Sequence, residues 1–325
     1  MTNKNPKTCL LTVTNSCVLC CKMCDLWRLN TQEKEISITD CKKFIDSLSQ
    51  FREDQFEVHI IGGESLIKKD IFELVKHISD KGWRSVITSC GYTIDESVAR
   101  ALVESGLSML NLSLDSLVPE IHNFLRGRED CYQRLMKAIE YVSKYKGKNL
   151  KLGINAIISA KSLDGITGLA EWVMHNQNLD SIYFMAVMRP FGSSLSWDWF
   201  KKDDYAYLWP QDYAKTEAVL DELMHFKTKN SKIVNSIGQL QAFKKYFKDP
   251  FVFIKNNRCN VFQQAINVNA LGDAYNCFFM DCLGNIKQDN IVELWNSEKA
   301  REVRNKMHAC KQNCELVVNC YYEEN

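Results

Sequence analysis

Fourteen cysteines in 325 residues are the first chemistry the chain offers, and they are unevenly placed. Cys17, Cys20, Cys21 and Cys24 crowd one short segment, while Cys259, Cys277, Cys282, Cys310, Cys314 and Cys320 fall near the end. Disulfide frameworks belong to small secreted domains, whereas cysteines clustered in a larger chain bind metal more often. In Thr14-Asn-Ser-Cys17-Val-Leu-Cys-Cys21-Lys-Met-Cys24-Asp-Leu-Trp27 the Cys-x3-Cys-x2-Cys spacing supplies three thiolates, with Cys20 outside the pattern. That is one fewer than a closed tetrahedral zinc site takes. Three thiolates are what a 4Fe–4S cluster needs if one iron must stay open to a substrate or cofactor. Zinc and iron–sulfur clusters are the competing readings, and the spacing favours the cluster.

Three further groups stand where strands should end. Gly62-Gly63-Glu64 combines two residues that let backbone approach a ligand with a carboxylate able to accept from an ammonium. Ser113 and Asp115, two apart at a strand end, point the same way. Arg126-Gly127 follows shortly after. With the cysteine loop, these segments resemble the radical SAM superfamily, in which three cysteines after the first strand hold a cluster that binds S-adenosylmethionine (SAM). Met23 departs from the aromatic residue common before the third cysteine. The resemblance implies that Gly62, Gly63 and Glu64 meet the SAM amino group. It also implies that Ser113 and Asp115 meet the ribose and carboxylate, and that Arg126 pairs with the carboxylate. Thr88, Ser89 and Asn155 are weaker candidates for lining the site. Cys90, in Thr-Ser-Cys-Gly, is read either as a hydrogen donor at the mouth of the fold or as a small buried hydrophobe.

The C-terminal cysteines, with Gly272 five residues before Cys277 and Leu294-Trp295-Asn296-Ser297 beyond, resemble the SPASM/Twitch extension of the same superfamily. The resemblance implies a second, auxiliary 4Fe–4S cluster on Cys259, Cys277, Cys310 and Cys314, with Cys320 the rival for the fourth place. Because only five residues follow Cys320, the later cysteines of the full pattern are missing and one auxiliary cluster is expected. Zinc competes more seriously here, since four thiolates suit it equally well.

These residues need a frame. Short apolar runs at Cys9–Thr14, Phe56–Ile61, Ser85–Ser89, Met109–Leu114, Leu150–Ile158 and Ser181–Val187 read as strands. Helical periodicity lies between them at Thr39–Gln50, Asp70–Asp80, Asp95–Glu104, Cys131–Tyr145 and Leu163–Asn176, with Thr39 and Asp95 as N-caps and Gly82 and Gly106 as stops. Six such units predict an α/β fold, a partial (β/α)6 TIM-like barrel over residues 1–232, with ligands at the C-terminal strand ends. A small cysteine-rich α+β unit is expected over 233–325. The aromatic run Phe191, Trp197, Trp199, Phe200, Tyr205, Tyr207 and Trp209 would cover a substrate or cement the two units. Arg189 is placed to meet a substrate acid.

Balanced charge, 41 Lys+Arg against 40 Asp+Glu, argues against a general nucleic-acid partner. No apolar run approaches the ~18 residues of a membrane span, and the polar start is not a secretory signal. A cytoplasmic location is expected. The resemblance implies reductive cleavage of SAM to a 5′-deoxyadenosyl radical, with electrons from an external donor of flavodoxin or ferredoxin type. The expected substrate is a small biosynthetic molecule, a sugar or cyclitol, undergoing oxidation or epimerisation. Radical modification of a peptide or protein is the alternative. A non-catalytic iron–sulfur or zinc scaffold is the third reading, weakened because an electron carrier has no use for an amino-acid pocket. With the cluster loop beginning at residue 17, no cobalamin-binding or leader-recognition domain is expected before it.

Overall fold

The six strands form where the apolar runs place them: β1 (Thr8–Thr14), β2 (Glu57–Gly62), β3 (Arg84–Ser89), β4 (Met109–Ser113), β5 (Lys151–Ile158) and β6 (Ser181–Ala186). Each pairs in parallel with the next. The helices returning the chain are α1 (Ile38–Leu48), α2 (Ile71–Asp80), α3 (Glu96–Glu104), α4 (Pro119–Arg126), α5 (Cys131–Tyr145) and α6 (Ile166–His175). The computed structural model describes residues 5–29, 31–51, 56–229, 232–256, 265–310, 314 and 316–320. Cys259, expected as an auxiliary ligand, lies outside them.

Local chemistry sets the ends. The cap of α1 is Ser37 rather than Thr39, because Asp40 at the third helical position returns a bond to the Ser37 amide and completes a capping box. Asp95 caps α3 as expected, accepting from the Val98 amide. The sequence reading passes over α4, a helix of only eight residues with no polar cap. Pro119 in its first turn and Gly127 in the left-handed region just past its end are the signals that would have found it. Leu11, Ile60, Ile87, Leu112 and Ile154 from the strands are fully buried with Leu74, Leu102, Leu135 and Leu169 from the helices. Each such side chain contributes about 1.5–3 kcal/mol.

The sheet continues past the six units, in the order β6-β5-β4-β3-β2-β1-β7-β8-β9. β7 (Ala265–Val268) pairs in parallel with β1, and β8 (Asp273–Tyr275) and β9 (Gly284–Asn285) add antiparallel to it. The β7–β8 hairpin therefore extends the barrel's own sheet. At the other edge, side-chain amides stand in for a neighbouring strand. Asn235 accepts from the Phe184 amide at 2.8 Å and donates to its carbonyl at 2.9 Å; Asn319 does the same to Ala186 at 3.0 and 2.9 Å. Helix Leu316–Asn319, and with it Cys320, is thereby moored on β6.

Candidate functional site: a three-thiol cavity at the strand ends

The loop after β1 is gripped from three sides. From β2, the Gly63 amide donates to Thr14 O at 2.9 Å and the Glu64 amide to Ser16 O at 2.8 Å. A Cβ on Gly62 would stand 2.2 Å from Thr14 O, and one on Gly63 2.2 Å from Ser16 O. The glycines are thus required first by the cysteine loop itself. From α4, Leu125 O accepts from the Lys22 amide at 2.8 Å, Arg128 donates to Val18 O at 2.9 Å, and Gly127 lies flat against Cys20 O. After β6, Phe191 O accepts from the Asp25 amide at 2.8 Å.

So held, Cys17, Cys21 and Cys24 line one cavity of about 340 Å³ at the C-terminal strand ends, while Cys20 is exposed. Among the described residues no three His, Cys, Asp or Glu are grouped as ligands of a single metal ion. Burial pushes the Cys17 thiol up to about 11 and the Cys24 thiol to about 12. It raises Cys21 too, against the opposing pull of Arg126. Bare thiolates are costly there, so the donor set fits a centre that brings its own positive charge. Leu19 N–H points at the Cys17 sulfur at 3.5 Å, and a Leu26 amide serves Cys24 likewise. Amide-to-sulfur bonds two residues on are what a ligating thiolate uses.

The cavity lining is of two kinds. Gly62, Gly63, Thr88, Ser89, Ser113 and Asn155 supply polar groups from the ends of β2 to β5. Met23, Leu26, Trp27, Met185, Met188 and Phe191 supply an apolar share of the lining. Cys90 also lines the cavity. Burial, then the neighbouring Glu64 carboxylate, raises its thiol well above the ordinary cysteine value, so it stays an S–H.

Glu64 and Asp115 are placed differently from the expectation, since neither lines the cavity. Glu64 is buried, and its oxygens accept from the Cys90 amide at 2.8 Å, Ser89 Oγ at 3.1 Å and the Leu66 amide at 3.2 Å. Asp115 is buried behind Arg126 in a two-pronged pair, Nε to Oδ2 at 2.7 Å and Nη2 to Oδ1 at 2.9 Å. It also accepts from the Ile157 amide at 3.0 Å. Arg126 does line the cavity, and among the described residues it is the one cationic side chain in the lining.

The C-terminal cysteines are held by local contacts of their own. Cys277 is buried among Leu283, Ala300, Val303 and Met307, and its sulfur receives the Phe279 amide at 3.4 Å, the same turn as at Cys17. Cys310 closes the helix Glu298–His308, its amide donating to Met307 O at 3.1 Å. Cys282 is of opposite polarity, its thiol donating to Gly284 O at 3.2 Å. Next in sequence to Cys277, Asn276 is fully buried, and among the described residues neither of its side-chain amide atoms has a hydrogen-bond partner. Aromatic contacts join the two cysteine regions: Phe191 with Phe278 and Trp197 with Phe279, ring centres 6.5 and 5.4 Å apart. Arg189 is spent within this bridge, its guanidinium 4.1 Å from the Trp197 ring and bonded to Leu195 O. Trp199 and Trp209 are buried, and Trp209 packs on Tyr246 and Phe247, so that part of the aromatic run cements.

Comparisons with known proteins agree with this geometry. Residues 11–159 match the model of the radical SAM superfamily, and residues 259–321 match SPASM, an iron–sulfur cluster-binding domain. The AdoMet-dependent heme synthase of Methanosarcina barkeri is 23% identical over 280 residues, 83% of this chain and 76% of that one. The probable GTP 3′,8-cyclase of Methanothermobacter thermautotrophicus is 31% identical over 129 residues, 40% of this chain. The match spans only 41% of that relative's length. The solved structure of anSMEcpe with bound AdoMet and Cp18Cys peptide shares the fold at TM-score 0.66 and 19% identity, over 97% of this chain and 88% of that one. No helix of the described residues is long and apolar enough to cross a membrane. With Cys17, Cys21 and Cys24 on one strand-end cavity, the two matching models identify a radical SAM domain followed by a C-terminal SPASM domain, whose cofactors are SAM and 4Fe–4S clusters.

Proposed function

We propose that Cys17, Cys21 and Cys24 hold the SAM-binding cluster, and that the enzyme abstracts hydrogen from a substrate lying between this cavity and the C-terminal cysteines. The carrying observation is that Cys17, Cys21 and Cys24 of the one loop all line a single cavity with polar groups of the strand ends, while Cys20 of the same loop is exposed. When bound, the cluster supplies the electron that cleaves the SAM sulfonium to methionine and a 5′-deoxyadenosyl radical. The chain's residues bind and orient. Backbone at Gly62 and Gly63, Ser113 and Asn155 offer hydrogen bonds to an amino acid and a ribose. Glu64 braces β3 against the turn after β2, and Asp115 fixes Arg126. Cys277, Cys310 and Cys314, with Cys259 and with Cys320 as rival, are the proposed auxiliary ligands. Cys90, kept as a thiol, is the candidate donor of a returning hydrogen atom.

For the substrate, the apolar share of the lining favours a molecule with an apolar part. A sugar or cyclitol finds few partners on Met23, Leu26, Trp27, Met185, Met188 and Phe191, whereas a peptide side chain packs there. This moves peptide modification ahead of sugar oxidation or epimerisation. The peptide-bound anSMEcpe and the two small-molecule enzymes keep both classes in view. The test is anaerobic turnover with an electron donor of flavodoxin or ferredoxin type, offering peptides and aminocyclitols or sugars encoded or made beside the gene. Substrate-dependent 5′-deoxyadenosine with peptides alone supports the ranking; stimulation by a polyol alone reverses it.

A further inference from the structure

Arg126 is committed before any ligand arrives. Two of its N–H groups hold Asp115, at 2.7 and 2.9 Å, with both side chains buried. The guanidinium carries five N–H donors, so others remain. Arg126 lines the cavity together with Cys21, and its charge pulls against the burial that raises the Cys21 thiol. Its neighbours on α4 hold the same stretch of loop: Leu125 O takes the Lys22 amide, Gly127 abuts Cys20 O, and Arg128 donates to Val18 O. Leu125, Gly127 and Arg128 thus hold residues 18–22 as one clamp, with Arg126 between them on the cavity that Cys21 lines. Asp115 is anchored in turn by the Ile157 amide and by its own amide's bond to His122 Nδ1 at 3.3 Å.

We propose that Arg126 and Asp115 are a built-in tuning pair for the first cluster, with Arg126 donating to the sulfur of Cys21 and Asp115 setting how much of that positive charge the cluster feels. The inference rests on Cys21 being a cluster ligand. It differs from a role confined to the SAM carboxylate, because it operates before SAM binds. Hydrogen bonds to cluster sulfurs and nearby positive charge stabilise the reduced, more negative state and so raise the reduction potential. Removing the guanidinium must lower the potential; removing the carboxylate that offsets it must raise it.

The experiment is an EPR-monitored redox titration of the full chain, anaerobically reconstituted and free of SAM, with iron and sulfide counted in each variant. The signal absent from C21A identifies the first cluster. R126Q is expected to shift that signal's midpoint to lower potential, R126K to shift it less, and D115N to shift it upward, with the second cluster's midpoint unmoved throughout. Opposite shifts from two neighbouring substitutions are not what partial unfolding produces, and R126K serves if R126Q loads poorly. Midpoints unchanged in R126K, R126Q and D115N, even with weakened SAM binding, would overturn the proposal and leave Arg126 to SAM alone. Full iron retention and an unchanged signal in C21A would instead remove the ligand reading beneath it.

Discussion

The two cysteine groups use the same local turn but are held in place by different means. Cys17 and Cys277 each receive an amide from two residues on. Around the first, the backbone bonds come from far away in sequence: Lys22 to Leu125, Asp25 to Phe191, Gly63 to Thr14. Around the second, the bonds among the described residues include local ones, Met280 to Cys277, Leu283 to Ala274 and Cys310 to Met307, and among those residues the buried Asn276 amide finds no partner. The first site is therefore shaped by the barrel before metal arrives. The second has aliphatic packing and a tether to β6 through Asn319, and its cluster must supply more of its order.

The largest effects should separate the groups by chemistry. C17A, C21A or C24A should each abolish 5′-deoxyadenosine formation while about four irons per chain remain at the second site, counted by iron and sulfide analysis. C277A should leave the first cluster's iron in place. Loss of all iron from either set would show that the sites are not independent. Hydrogen exchange sharpens the point. Stripping iron should leave the Lys22, Asp25 and Gly63 amides protected and expose those of Phe279 and Met280; equal loss at both sites would break the distinction.

Next come the glycines that let the barrel close on the loop. G63A places a methyl carbon 2.2 Å from Ser16 O, and G127A does so against Cys20 O at a φ of +72°. Each should cost about 1–3 kcal/mol in urea denaturation and reduce first-cluster loading. A pH effect of similar size belongs to the first group alone. Burial, with Arg126 adding and Asp115 opposing, lowers His122 to about 4. An unfolded imidazole takes its proton near the ordinary value of ~6.5, so the unfolded state binds more protons on acidification and stability falls. From about pH 7 to pH 5 the iron-free protein should lose about 2 kcal/mol that an H122N variant keeps. Least of all, C20S and C282S should retain full iron, since Cys20 is exposed and the Cys282 thiol is turned to a carbonyl.

Much of this was readable in the sequence, for identifiable reasons. Strongly apolar runs placed β1 to β6 within a residue or two, and spacing alone separated Cys20 from the three cavity thiols. What escaped has equally physical causes. The helix α4 is too short to show a period, so the clamp it carries at Leu125–Arg128 was invisible. The pairing of β7 with β1 is a long-range ladder that no local pattern announces. Glu64, Asp115 and Arg189 were recognisable as charged residues near the strand ends, but a sequence does not reveal which charges already have partners. Arg189 met Trp197 and Leu195; Glu64 met Ser89 and Cys90.

The central claim is that Cys17, Cys21 and Cys24 hold a cluster that cleaves SAM. Anaerobically reconstituted protein, reduced with dithionite and given SAM, should yield 5′-deoxyadenosine and methionine, and C17A should yield neither. No product from well-loaded protein, with C17A behaving as wild type, would contradict the account.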